Sequence, residues 1–264
     1  MTPMTRRAFL KDLGHGTLAV AVLGFTVVSC ASAADDPTTT SSTGDSTPST
    51  TDAPDTTSPP TTGGSESPTW ERVVLGGVSA YLLVRAGEVV IVDTGNPGDE
   101  GDIEASLQGI GHGWDDVSHV ILTHLHGDHI GSLGPVMEAA ASAQGYAGAP
   151  DLPSIPSPRA LEPVGDGDSV FGLDIIAAPG HTPGSIAILD PIGGVLVAGD
   201  AMNGADGGVI GANPRFTQDM EEANRSIAKL AGLGFDTLFF GHGDPVLGGA
   251  AAQVAALAAE LTQG

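Results

Sequence analysis

Thr123-His124-Leu125-His126-Gly127-Asp128-His129 follows directly on the apolar run 117–122 and places three imidazoles and a carboxylate within six residues. A short apolar run bounded by turn formers reads as a buried strand, so this cluster sits on the loop that leaves the strand's end. Side chains on a loop need not alternate between two faces. Gly127 permits the tight bend that turns Asp128 and His129 toward a second position. A single histidine here would be read most simply as structural. Three with an aspartate point to a metal site, because imidazole nitrogen and carboxylate oxygen are the donors that zinc takes from a folded chain.

Further donors stand at the ends of later apolar runs, each beside glycine: Gly180-His181, Gly199-Asp200 and Gly241-His242-Gly243. Glycine beside a donor lets the backbone come close to a bound ion. Taken singly, each could be a turn residue. Taken together with the first cluster they absorb five of the seven histidines that follow Trp70, leaving His112 and His119 as structural or surface residues. The one cysteine, Cys30, lies ahead of this region, so the site has no thiolate and the folded part no disulfide.

The pattern around these donors is that of alternating strands and helices. Strands are expected over 72–75, 78–84, 89–92 and 117–122, with turns at Gly76-Gly77 and Ala86-Gly87, a short helix over 102–107 and an Ala-rich helix over 133–144. The second half repeats the scheme, with strands over 169–177, 185–189, 195–198 and 237–240 and helices over 218–230 and 250–261. In the first of these helices Met220, Ala223, Ile227 and Leu230 share a face, and Asp219, Glu221 and Glu222 sit near its start, where the helix dipole favours them. Two sheets with helices outside them make a four-layer α/β arrangement.

His-x-His-x-Asp-His, followed by His181, Asp200 and His242 at strand ends, resembles the metallo-β-lactamase superfamily. Asp93-Thr94-Gly95, the Pro179 to Gly184 run, Ala198-Gly199-Asp200 and Gly241-His242-Gly243 match its other landmarks, and the similarity spans 70–264. The resemblance implies the four-layer αββα sandwich of that family. It implies that His124, His126 and His181 hold one metal, that Asp128, His129 and His242 hold a second, and that Asp200 bridges them. Two zinc ions are expected, with iron or manganese as substitutes. A bridging hydroxide would be the nucleophile, with Asp128 orienting it as the catalytic residue. Asp93 resembles the family's buried carboxylate that backs a ligand histidine; the other reading is a cap on the turn 96–98.

The resemblance also orders the activities. β-Lactamases of this superfamily usually carry Cys or Ser where this chain has Asp200, so that reaction is disfavoured. The complete His and Asp set is closer to glyoxalase-type thioesterases and to lactonases, although the thioesterases add a glutathione-binding helical region for which few residues remain after His242. The leading expectation is a dinuclear hydrolase of an ester, thioester or lactone. The alternatives are a mononuclear iron oxygenase resembling the persulfide dioxygenases, a β-lactamase, and a metal-binding surface protein without turnover. The segment 201–216, with Met202, Asn203, Asn213 and Arg215, is expected to wall the pocket for a small-molecule substrate. Arg215 is either an anchor for a substrate carboxylate or a surface residue.

From Trp70 onward the chain carries 25 acidic against six basic side chains, a net charge of −19. Such a surface repels phosphate backbones, so no nucleic-acid partner is expected. The acidity suits a salty habitat, and it would equally steer cations inward. Ahead of this region, Arg6-Arg7 and the uncharged run 18–28 resemble a twin-arginine export signal, and Val27-Val28-Ser29-Cys30 resembles a lipobox. The expected organisation is a signal peptide over 1–30 ending in lipidated Cys30, a disordered Thr/Ser/Pro-rich spacer over 31–69, and the metal-binding domain over 70–264. That makes a membrane-anchored envelope lipoprotein. Cleavage after Ala31-Ser32-Ala33 would instead release a secreted protein.

Overall fold

The computed structural model describes residues 68–262. The expected export segment 1–30, with Cys30, lies outside the described residues, as does the spacer up to residue 67. Strand β1 (Thr69–Leu75) begins three residues ahead of the strand expected over 72–75 and pairs with β2 (Val78–Arg85) across a turn in which Gly76 takes φ 75°. β2 turns into β3 (Glu88–Val92) through Ala86 and Gly87 at φ 54° and 82°, the pair of positive φ values that fits the twist of a two-residue hairpin. Helix α1 (Glu100–Gly109) then carries the chain over to β4 (Val117–Leu122), parallel to β3. Short helices α2 (Gly127–Ile130) and α3 (Leu133–Ala139) precede β5 (Gln144–Gly148) and β6 (Leu161–Val164), both parallel additions that complete a six-stranded sheet in chain order.

The second half runs through β7 (Ser169–Val170), β8 (Leu173–Ala177), β9 (Ile186–Asp190), β10 (Val195–Val197), a hairpin of β11 (Met202–Ala205) and β12 (Gly208–Gly211), helix α4 (Met220–Leu230), β13 (Thr237–Phe239), β14 (Val246–Leu247) and helix α5 (Ala250–Leu261). Its main sheet has the order β14-β13-β10-β9-β8-β7, with β10 and β13 parallel and the other pairs antiparallel.

Both faces of each main sheet are covered, which is why the central strands read as unbroken apolar runs. Period-two alternation divides them among three cores. Along β2 and β3, Ala80, Leu82, Val89 and Ile91 pack on the helical side with Ile103 and Leu107 of α1. Tyr81, Leu83, Val90 and Val92 face the other way and meet Ile175, Ile188, Val197 and Phe239 of the second sheet. Ala187, Leu196 and Leu238 then pack outward on Ile227 and Leu230 of α4 and Val254 of α5. Three buried interfaces separate four layers, so the expected αββα sandwich is the observed architecture.

The differences from expectation are local. The helix expected over 133–144 stops at Ala139, and 144–148 is the strand β5. Gln-Gly-Tyr-Ala-Gly has little intrinsic strand preference, but a Cβ at Gly148 would collide with the Gly184 backbone, so a close approach selects a residue that propensity disfavours. The single strand expected over 169–177 is a hairpin, broken where Phe171 and Gly172 take φ 55° and 74°. Strands β6, β11, β12 and β14 are too short or too polar to have been read from pattern. α4 starts as expected, with the Asp219 side chain accepting from Glu222 N at 2.9 Å, and it buries Ala223, Ile227 and Leu230.

Candidate metal centre

Each donor leaves the C-terminal end of a strand: His124, His126, Asp128 and His129 after β4, His181 after β8, Asp200 after β10 and His242 after β13. All seven meet. His124 Nε2 lies 3.1 Å from His126 Nδ1, which lies 2.9 Å from His181 Nε2. On the other side His242 Nε2 is 3.2 Å from Asp128 Oδ2, and His129 Nε2 is 3.9 Å from the same oxygen. Asp200 stands between the two sets, with Oδ1 3.4 Å from His129 Nε2 and Oδ2 3.4 Å from His181 Nε2 and 3.3 Å from His242 Nε2. Three overlapping groups could therefore hold a metal ion: His124/His126/His181, His124/His129/Asp200 and Asp128/His129/His242.

The outer nitrogens show which way the lone pairs point. Thr123 Oγ1 donates to Asp93 Oδ2 at 2.7 Å, so toward His124 Nδ1, 3.1 Å away, it acts as acceptor. Thr217 Oγ1 donates to Asn213 O at 2.8 Å and likewise accepts from His181 Nδ1 at 3.1 Å. His129 Nδ1 donates to Asp93 Oδ2 at 2.8 Å, and His242 Nδ1 to Gly77 O at 2.7 Å. All four rings thus keep the proton on Nδ1 and turn Nε2 inward, the arrangement a ligand histidine needs.

The interior carries the signs of a cation site. His129 Nε2 and Asp200 Oδ1 are buried and have no hydrogen-bond partner among the described residues. A buried polar atom without a partner costs about 1–3 kcal/mol, which a bound cation would offset. A Cβ at Gly241 would collide with Asp200 Oδ1, so the glycine before His242 is what lets the strand end pass the cluster.

The electrostatics differ across the centre. Burial, then the neighbouring rings of His129, His181 and His126, holds His124 well below the ordinary histidine range. Burial also takes His181 down to about 4, against a partial upward pull from Asp200. His242 moves the other way, to about 11, because Asp128 and then Asp200 accept from it. Burial pulls His129 down, but Asp93, Asp200 and Asp128 together outweigh that and raise it. The His242 hydrogen bond holds the Asp128 carboxyl well below the usual carboxylate range.

Residues 73–242 match the family model described as the metallo-beta-lactamase superfamily. The chain belongs to that superfamily. YobT of Bacillus subtilis strain 168 is 30% identical over 196 residues, covering 63% of this chain and 83% of its own. The hydroxyacylglutathione hydrolase of Dechloromonas aromatica is 31% identical over 162 residues, 61% of this chain and 55% of that enzyme. Among solved structures, TTHA1623 in a di-iron-bound form superposes with a TM-score of 0.58 at 27% identity, covering 70% of this chain and 98% of that one.

Around this metallo-beta-lactamase centre lie residues that motif reading did not assign. Asp151 is fully buried and accepts from Leu125 N at 3.0 Å, Thr182 Oγ1 at 2.6 Å and Gly184 N at 2.7 Å. One carboxylate thereby ties the loop of His124 and His126 to the loop of His181. Thr217 and the Gly77 carbonyl orient His181 and His242 in the same indirect way. Asp93 takes φ 61°, a strained value for a non-glycine residue, while its carboxylate gathers Thr123 N, Thr123 Oγ1 and His129 Nδ1. The turn at 96–98 is held instead by Asp99, whose Oδ2 accepts from Asn96 N at 2.7 Å. His112 pairs with Asp116, and His119 packs against Tyr146 and Phe171.

A cavity of about 510 Å³ opens over His126, Asp128, Asp200 and His242, and Asn203, Asn213 and Phe216 complete its lining with Gly127. The segment after Asp200 therefore does form the wall. Met202 is buried in the core against α4 and α5, and Arg215 is exposed and does not line the cavity.

Proposed function

We propose that the protein is a dinuclear zinc hydrolase of an ester, thioester or lactone bond. The observation that carries this reading is the centre itself: seven donors in two groups, four imidazoles with Nε2 turned inward, and one carboxylate between the groups. His124, His126 and His181 would hold one ion, Asp128, His129 and His242 the other, and Asp200 both. Two divalent cations so held supply Lewis acidity toward the acyl oxygen and make water acidic enough to attack near neutral pH.

The chain's own residues do the rest. Asp128 stays ionised at the lip of the cavity and is placed to accept a proton from the attacking water. Asp93 keeps His129 in one tautomer through its Nδ1 proton, and Asp151 holds the two loops of the three-histidine group together. The cavity admits a small molecule, and the protein side contributes no nucleophile of its own. The relative named hydroxyacylglutathione hydrolase supports a thioester among the candidates, although the chain spans about half of that enzyme.

Metal analysis of the purified protein, followed by a panel of ester, thioester, lactone and β-lactam substrates, tests the reading. Close to two zinc ions per chain and pH-dependent turnover of the acyl compounds are expected. The di-iron form of TTHA1623 makes iron the alternative cation, and the same analysis decides between them. One iron with oxygen consumption, or bound metal without turnover of any substrate, would overturn the proposal. We further propose that the enzyme works at the cell envelope, tethered through lipidated Cys30, with no nucleic-acid partner. Cys30→Ala should release it from membranes; unchanged membrane association would remove the anchor.

A further inference from the structure

Resting on the hydrolase reading above, we infer that this site takes an uncharged acyl compound bearing a neutral hydrogen-bonding group such as an amide, and discriminates against the same compound bearing a carboxylate there. Six lysine and arginine side chains lie among the described residues, and none of them lines the cavity; Arg72, whose contacts come next to His242, directs its guanidinium to Gly243 O at 2.8 Å, Ser79 and Asp244. Arg72 pairs with Asp244, Arg85 with Asp190, Arg225 with Glu221 and Glu222, and Lys229 with Asp166. Arg159 donates to the carbonyls of Ala140 and Ala143 beyond the end of α3. Arg215, the last of the six, lies with its guanidinium carbon 5.6 Å from the centre of the Phe216 ring and does not line the cavity.

Apart from the donors, the lining is neutral: Gly127, Asn203, Asn213 and Phe216. Asn203 Nδ2 donates to Gly211 O at 3.2 Å, and among the described residues its Oδ1 meets no donor. Asn213 Oδ1 accepts from Arg215 N at 3.1 Å, which leaves the Nδ2 protons without an acceptor among the described residues. A free acceptor and a free donor beside the Phe216 ring suit a group that has both, with a small apolar flank. A carboxylate in the same place would exchange its hydration for one amide donor and no cation. At longer range the excess of acidic side chains repels anions. Cations held by the donor cluster would act on the acyl carbonyl, which matched neutral and charged compounds share.

Three acetyl thioesters of similar size test this on the zinc-loaded full chain: those of N-acetylcysteamine (amide), 1-pentanethiol (apolar) and 3-mercaptopropionate (carboxylate). The expected order of kcat/KM is amide, apolar, carboxylate, with the amide ahead of the carboxylate by about tenfold or more, the scale of one unmade hydrogen bond. Asn213→Ala should bring the amide-to-apolar ratio toward one. Arg215→Ala should leave the carboxylate-to-apolar ratio where it was. Added salt should raise the carboxylate rate relative to the other two as the repulsion is screened. Equal rates for amide and carboxylate, a preference for the carboxylate, or loss of carboxylate turnover in Arg215→Ala overturns the inference while the hydrolase reading stands. No turnover of any of the three with zinc bound overturns the inference, and failure of the ester and lactone panel as well overturns the hydrolase reading with it.

Discussion

The two halves of the metal centre are built from opposite materials. His124, His126 and His181 form an all-imidazole group in which burial keeps His124 and His181 free of protons. The facing group mixes Asp128 with His129 and His242, whose rings the carboxylates hold toward the protonated form. A cation entering the first group finds lone pairs ready. One entering the second must displace protons that the same carboxylates retain. The contrast makes the centre two sites of unequal character that share Asp200, and it makes stepwise filling the expected behaviour.

The change with the largest effect is therefore Asp200→Asn. It removes the charge that faces His181, His129 and His242 at once, with little change of shape. Metal content should fall from about two per chain to one, and turnover should fall about 10³-fold, the scale of several kcal/mol of cation stabilisation. Two bound metals and full activity in this variant would show that the two groups are not linked through Asp200.

Asp151→Asn should separate the groups. Its three donors stand beside His124 and His126, on Leu125, and just past His181, on Thr182 and Gly184, whereas Asp128 and His129 are carried by α2 and His242 by the turn after β13. The amide keeps the shape but sets an N–H against at least one existing donor. Loss of a group that orients ligands costs about 10–100-fold in metal affinity. That loss should fall on the first metal bound, with the second affinity nearly unchanged, as read by titration with a chelator of known affinity. Equal weakening of both steps would mean that Asp151 supports the fold in general. Thermal melts in chelator measure that part directly, and about 1–3 kcal/mol is expected for a buried group left unpaired.

A subtler difference lies in pH. His242 must lose a proton to bind a cation, and in the metal-free fold its pKa is raised to about 11. Affinity at the second group should therefore climb across pH 6–9, while affinity at the first group stays nearly flat, since His181 titrates at about 4. The sign reverses for the metal-free fold. A raised histidine pKa stabilises fully below the unfolded value of about 6.5, and that contribution declines as pH rises toward the folded value. Chelated protein should thus lose some stability as pH rises over the range in which the metal-loaded form gains it. Parallel pH profiles for the two metals would remove the distinction between the groups.

What could be read from sequence follows the same division between local and distant. His124, His126, Asp128 and His129 share one loop, so their density announces a metal site with no knowledge of the fold. His181, Asp200 and His242 stand alone, and glycine at a strand end marks each of them only because three such marks recur. Asp151, Thr217 and Gly77 carry no mark, since their roles arise when loops distant in sequence meet. The four layers were legible because strands covered on both faces are continuous apolar runs. β5 was not, because its closing Gly148 is dictated by the Gly184 backbone that passes it and not by strand preference. Arg215 reads as a possible anchor by residue type, and only the folded chain shows that Phe216 lines the cavity while Arg215 beside it does not.

Thr217→Val is the smallest of these changes and the most selective. The hydroxyl stands between His181 Nδ1 and the carbonyl of Asn213, so one atom joins a donor of the first group to the wall of the cavity. Valine keeps the volume and removes the acceptor, leaving the His181 tautomer unfixed. Thr217 is only partly buried, so water can take over much of the task, and the cost in first-site affinity should stay below that of Asp151→Asn, at about tenfold or less. KM should rise together with that loss, because Asn213 is released from the same contact. Thr217→Ser, which restores the hydroxyl, should recover both. A variant in which serine recovers metal affinity and leaves KM high would show that the wall and the ligand are held separately.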